Sequence, residues 1–241
     1  MEYQYATREN FLALCERIKE KNCPPFKWPD INPNVIFDEL VARYSEPHRA
    51  YHTLRHIEHG LAELESARSC PFQPVPDLEA IELALWYHDA VYDPGANNNE
   101  SQSRLLLLEH FVPNIDHYNP IFEDIAALIF VTNHAVSPFD DEGQIRVHQT
   151  AQIIIDIDLA IFGQPEDVFK EYERGIRQEY GHLSDRDFYA GRVALLYSFL
   201  HRPTFYLTDF FQQKYEEQAR RNLWSSFANA IINIGPFPSA P

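Results

Sequence analysis

The chain has 241 residues, 45% of them hydrophobic and 23% charged, the balance of an ordinary globular protein long enough for one large domain. A formal net charge of −16 excludes the broad basic surface needed for nucleic-acid polymers or anionic membranes. No run reaches the roughly 18–20 uninterrupted apolar residues of a membrane span. A small phosphorylated ligand stays possible, because screening confines a distant negative field to about 10 Å. The start, Met1-Glu2-Tyr3-Gln4-Tyr5, has no basic region before an apolar core and reads as free of a signal peptide. Cys15, Cys23 and Cys70 are odd in number and form no Cys-x-x-Cys pair, which fits a reducing cytoplasm better than a disulfide or zinc–thiolate framework.

With only 8 glycines, helical periodicity dominates and predicts an all-α bundle. Helices are expected at about 6–21, 34–45, 48–67, 77–92, 99–112, 119–135, 148–162, 165–181, 185–201 and 208–232. Pro24-Pro25-Phe26-Lys27-Trp28-Pro29 and Cys70-Pro71-Phe72-Gln73-Pro74-Val75-Pro76 read as connectors, because proline breaks the helical ladder. Asp77 is the expected N-cap of the fourth helix, which Asp93-Pro94-Gly95 ends. The run Ile153-Ile154-Ile155-Asp156-Ile157-Asp158-Leu159 alternates like a strand. It lacks a partner strand and is followed by Gly163, so a helix is expected. The tail Gly235-Pro236-Phe237-Pro238 reads as irregular.

The dipeptide His88-Asp89 ends the apolar run Leu83-Ala84-Leu85-Trp86-Tyr87. Alone it means little, since about 0.7 such pairs are expected by chance from 11 His and 15 Asp. Its setting gives it weight. The surrounding helix is apolar on nearly every face, and His88 follows Ala84 and Ile81 on a core-facing stripe. A buried carboxylate needs a compensating charge, for which a divalent metal is one source and His88 itself another.

Upstream, His52, His56 and His59 recur at helical spacing. His56 flanks the stripe Leu54, Ile57, Leu61 and Leu64, whereas His59 lies nearly opposite it and reads as solvated. His52 reads equally as a helix-start residue or a site residue. Downstream, Asp158 shares an inward stripe with Ala151, Ile154 and Ile161, while Asp156 falls on a more polar face with Gln152 and Ala160. His134 follows Phe130 and Val131 by one turn and also points inward, as a core histidine or a site residue. His56, His88, Asp89 and Asp158 form a mixed nitrogen and oxygen set suited to one Mn²⁺, Fe²⁺, Co²⁺, Ni²⁺, Zn²⁺ or Mg²⁺ ion.

This ordered set resembles the HD-domain superfamily of metal-dependent phosphohydrolases, whose pattern is His, then His-Asp, then Asp on separate helices. Arg55-His56-Ile57-Glu58-His59-Gly60-Leu61, Tyr87-His88-Asp89-Ala90-Val91-Tyr92-Asp93 and Asp156-Ile157-Asp158-Leu159-Ala160 look like its three segments. Tyr51-His52, Asn98-Asn99-Glu100, Thr132-Asn133-His134, Ile176-Arg177, Gly191-Arg192 and Arg220-Arg221 further resemble an uncharacterised subgroup of predicted HD phosphohydrolases. The resemblance covers residues 35–225. It implies a single HD-type helical domain over residues 1–241, with a core at about 35–163 and a C-terminal helical extension at about 164–232. It also implies hydrolysis of a phosphate ester or pyrophosphate, often of a nucleotide. The adjacent histidine pair of two-metal relatives is absent, which favours one metal.

Further roles follow as expectations. Asp93, about one turn beyond Asp89, is a candidate to orient or deprotonate the attacking water, or else a turn residue. Glu100 is a similar candidate, with a helix-start acid as its other reading. His52 is a third candidate for proton transfer. Arg177 and Arg192 are candidates to grip phosphate, with His134 as a further donor or extra metal ligand. Two other functions compete: a di-iron oxygenase, which needs surplus ligands such as His134, and a non-enzymatic module that binds a nucleotide or metal.

Overall fold

The computed structural model describes residues 3–234 except 23, 25, 115, 117, 135 and 141, so Cys23 and the tail 235–238 lie outside the described residues. The chain is all-α. Its helices are α1 (Arg8–Asn22), α2 (Pro33–Arg43), α3 (Leu54–Arg68), α4 (Leu78–Tyr87), α5 (Asn99–Phe111) and α6 (Pro120–Val131). They continue with α7 (Gln149–Asp158), a 3-10 helix (Leu159–Gly163), α8 (Glu166–Glu179), α9 (Asp185–Leu200) and α10 (Asp209–Ile234). Among the described residues the nearest thing to a strand is an isolated antiparallel bridge between Phe139 and Ile145. No helix there is long and apolar enough to cross a membrane.

Local chemistry explains where helices begin. The side chains of Asn32, Thr53, Asn119 and Ser184 accept backbone N–H groups of the first turns of α2, α3, α6 and α9. Pro33 and Pro120 fill the first helical positions, where no N–H is needed. Asp77 departs from expectation: it adopts left-handed backbone angles (φ 48°, ψ 48°) and makes no side-chain cap.

Three boundaries differ from the periodic pattern in a way that matters below. The third helix starts at Leu54 rather than 48, because residues 44–53 fold into turns ending at the Thr53 cap. The fourth ends at Tyr87 rather than 92, leaving His88 and Asp89 just beyond it. The sixth ends at Val131 rather than 135, so His134 lies in the following turn. The Ile-rich run is helical, as expected, and tightens to 3-10 geometry after Asp158.

The middle of the core is α4, where Ala80, Ile81, Leu83, Ala84, Leu85, Trp86 and Tyr87 are all buried. It touches α1, α3, α5, α6 and α7. Trp86 is fully enclosed, with the rings of Phe11 and Phe37 packed against it at 5.2 and 5.8 Å. Burying a large side chain of this kind contributes roughly 1.5–3 kcal/mol. The long α10 packs along α9 and the 3-10 helix. Asn222 fastens it there, donating to the carbonyls of Phe162 and Gln164, both at 2.8 Å.

Asp156 is not on a polar face but fully buried. Its carboxylate accepts Leu207 N, Thr208 N and Thr208 Oγ1, each at 2.8 Å, and so ties α7 to the segment entering α10. Burial outweighs these three donors and pushes its pKa up to about 7.

Candidate metal centre

Four side chains converge from three helix ends. His56 comes from the first turn of α3, His88 and Asp89 from the turn after α4, and Asp158 from the last residue of α7. The two imidazoles are almost wholly enclosed, with 3% side-chain exposure each. Their Nε2 atoms lie 2.9 Å apart. Asp89 Oδ2 is 3.4 Å from His56 Nε2 and 3.1 Å from His88 Nε2. Asp158 Oδ1 is 3.2 Å and 3.4 Å from the same two nitrogens. Ligand atoms of His56, His88 and Asp158 fall within 4.8 Å of one another, a group able to hold a metal ion.

The tautomer of His88 sharpens this. Its Nδ1–H donates to the carbonyl of Leu85 at 2.9 Å, so a neutral ring presents a bare lone pair at Nε2. That lone pair faces two carboxylate oxygens and a second imidazole nitrogen. Such a convergence of acceptors is satisfied by a cation, and the donor set suits a divalent transition ion or Mg²⁺. The electrostatics agree. Burial disfavours the charged form of each imidazole, but the carboxylates override it and raise both pKa values, that of His88 well above its ordinary range. Burial likewise opposes ionisation of Asp89 and Asp158, yet the histidines hold both well below the usual carboxylate range. The cluster therefore attracts positive charge.

Two residues not singled out in the sequence build the frame. The fully enclosed guanidinium of Arg49 donates to the carbonyls of Asp89 (2.7 Å), Ala90 (3.1 Å) and His52 (3.1 Å), locking the dyad turn to the turn before α3. Glu179, at the end of α8, accepts the backbone N–H groups of Ala50, Tyr51 and His52 on Oε1, at 2.8, 2.7 and 2.9 Å. Its Oε2 accepts His52 Nδ1 at 2.7 Å and the Tyr92 hydroxyl at 2.9 Å. Burial raises the Glu179 pKa, but these donors override it and set it at about 2. Gly175 makes the approach possible, since a Cβ there would meet Tyr51 Cβ at 3.0 Å.

The sequence candidates divide accordingly. His52 is not on a helix, yet it reaches the site, its Nε2 lying 4.0 Å from Asp89 Oδ2. His134 also reaches it, in a turn rather than on an inward stripe; Phe130, its supposed stripe partner, is exposed. Its Nε2 sits 2.8 Å from Asp158 Oδ2. His59 is half-buried rather than solvated. Its Nε2 is enclosed without a hydrogen-bond partner, 3.8 Å from Glu63 Oε1, and burial pushes its pKa down to about 4.

A cavity of 510 Å³ opens from His52, Asp89, His134 and Asp158. Glu100 and Arg192 line it. Glu100 accepts Asn133 Nδ2 at 3.3 Å, and Arg192 is held by Tyr172 Oη and Glu173 Oε1, both at 3.3 Å. Asp93 is exposed and closes a turn by accepting Gly95 N at 2.8 Å, because the helix expected to carry it past Asp89 has already ended. Arg177 is likewise outside the cavity lining. It binds Asp185 at 2.7 Å and the carbonyls of Tyr180 and Leu183, closing the α8–α9 connection.

No family model, curated protein or solved structure matches this chain.

Proposed function

We propose that the chain is a metal-dependent phosphohydrolase of the HD type, cleaving a phosphate ester or pyrophosphate of a small substrate. The observation that carries the reading is the convergence of His56, His88, Asp89 and Asp158 on one point beside a cavity. These four residues would hold one divalent ion. When bound, such an ion lowers the pKa of a water and polarises a phosphoryl oxygen. The order of the four residues along the chain, with the HD resemblance of the segments around them, supports phosphoryl rather than other hydrolytic chemistry.

The chain's own residues supply the rest. His52 donates Nδ1–H to Glu179, so its Nε2 carries a lone pair near Asp89 and the cavity. In this reading that nitrogen takes the proton of the attacking water while the water oxygen bonds to phosphorus and the ester oxygen departs with the leaving group. Glu179 fixes the ring, the arrangement of a carboxylate behind a catalytic histidine. His134 aims Asp158 through its bond to Oδ2.

The test is phosphate release from a panel of esters and nucleotides. The protein is stripped with a chelator and reloaded with Mn²⁺, Co²⁺, Ni²⁺ or Mg²⁺. Turnover that returns with one ion per chain supports the reading. Absence of turnover with every ion refutes it, and two irons per chain with an oxidised di-iron absorption band would indicate an oxygenase.

A further inference from the structure

The large cavity carries information about what its ligand looks like. Its lining includes Asp89, Glu100, Asp158 and Asp187, the last exposed and accepting Ser184 Oγ at 2.6 Å, and a single arginine, Arg192. Four carboxylates against one guanidinium leave three negative charges, and one divalent ion would reduce that to one. Arg192 offers little further compensation, because Glu173 already sits 3.3 Å from it. Arg177, the other arginine expected near phosphate, is bound to Asp185 outside the lining. Sites that hold several phosphates supply a clamp of lysines and arginines or backbone donors. Among the described residues this lining has no lysine and no second arginine for such a clamp; its other polar side chains include His52, Asn97, Asn99, Thr132, Asn133 and His134.

Another part of the wall is apolar and aromatic. Phe162, Tyr172, Ile176, Phe188, Leu195 and Phe199 all face the cavity, drawn mainly from the 3-10 helix, α8 and α9. Phe162 packs edge-on to Tyr172 at 5.4 Å and against Phe199 at 5.7 Å, so the wall is a connected ring cluster rather than scattered side chains. At 510 Å³ the space lies in the range that encloses one small organic molecule.

Building on the phosphohydrolase reading, we infer that the substrate is a phosphate monoester with an uncharged, largely apolar or aromatic body, and that nucleoside di- and triphosphates are poor ligands. One phosphoryl group meets the ion. The ring cluster takes the body, and every additional phosphate meets unneutralised carboxylates. The expected penalty is on the order of tenfold per added negative charge, the size Coulomb's law gives for unit charges about 10 Å apart at an effective dielectric near 20.

The experiment compares 1-naphthyl phosphate, glycerol 3-phosphate and ATP on the full chain with Mn²⁺ present, by calorimetric binding and by phosphate release. The expected result is tightest binding and highest kcat/KM for 1-naphthyl phosphate, about a hundredfold above ATP. Asp187→Asn, which removes one lining charge, is expected to narrow that gap, by at most about tenfold for each of the two charges ATP adds. Preferential binding of 1-naphthyl phosphate without turnover keeps the ligand class and refutes the hydrolase reading. ATP bound or cleaved as well as 1-naphthyl phosphate overturns the inference, as does failure of 1-naphthyl phosphate to bind.

Discussion

Replacing Glu179 by glutamine tests how the site is held together. The carboxylate has no exposed side-chain surface and accepts five hydrogen bonds, three of them from consecutive backbone N–H groups. Its pKa falls from 4.5 to about 2 on folding, against the upward push of burial. At about 1.36 kcal/mol per pKa unit, the ionised form contributes about 3 kcal/mol to stability. Because the folded pKa is the lower one, this contribution is complete above the unfolded value of 4.5. It fades as pH falls from there towards 2. Glutamine keeps the shape but loses the charge. Urea unfolding at pH 7 is expected to show Glu179→Gln about 3 kcal/mol less stable, and the gap to wild type should shrink steadily below pH 4.5. A gap within about 0.5 kcal/mol at pH 7, or one that stays constant down to pH 2.5, would refute the reasoning.

Three other outcomes are expected. Gly163→Ala forces a Cβ into the Tyr215 side chain, so the variant should lose about 2 kcal/mol, read as a drop of about 5 °C in Tm by calorimetry. Asp156→Ala strands three buried donors at residues 207 and 208, and urea unfolding should register a loss of about 3 kcal/mol. Asp93→Ala removes only the turn bond to Gly95, so kcat of any activity found should stay within about threefold, whereas a general base would cost about 10²-fold or more.

The helical architecture was legible because apolar spacing in segments such as 78–87 leaves no other way to bury them. The stripe that separated Asp158 from Asp156 did place Asp158 beside the histidines. It was wrong about Asp156, which it put on a polar face and whose partners lie 51 and 52 residues away at Leu207 and Thr208. Carried past a helix end, periodicity was right for His88, whose backbone stays helical and which is buried, and wrong for Asp93, which is exposed. His52, Asp89, Asp93 and His134 all sit in turns flanking helices, where a 3.6-residue period no longer says which way a side chain points. That is why His52 reaches the site and Asp93 does not. Glu179 had a usable signal, since it continues the buried stripe Phe169, Tyr172 and Ile176 of α8. A carboxylate in that position asks for partners, though nothing local reveals that they are the N–H groups of residues 50–52. Arg49 gave no such signal: its one side-chain partner, Glu46, is a local ion pair at 3.0 Å, and the bonds that lock the site go to backbone carbonyls.

The most direct measurement is the metal content of three proteins, each dialysed against Mn²⁺ and analysed by mass spectrometry: wild type, Asp158→Asn and Asp156→Asn. Asp158 faces both imidazoles, whereas Asp156 faces away into the α10 segment. One ion per chain is expected in wild type and in Asp156→Asn, and none is expected in Asp158→Asn. An Asp158→Asn protein that keeps its ion, or a wild type that holds none, would contradict the metal centre itself.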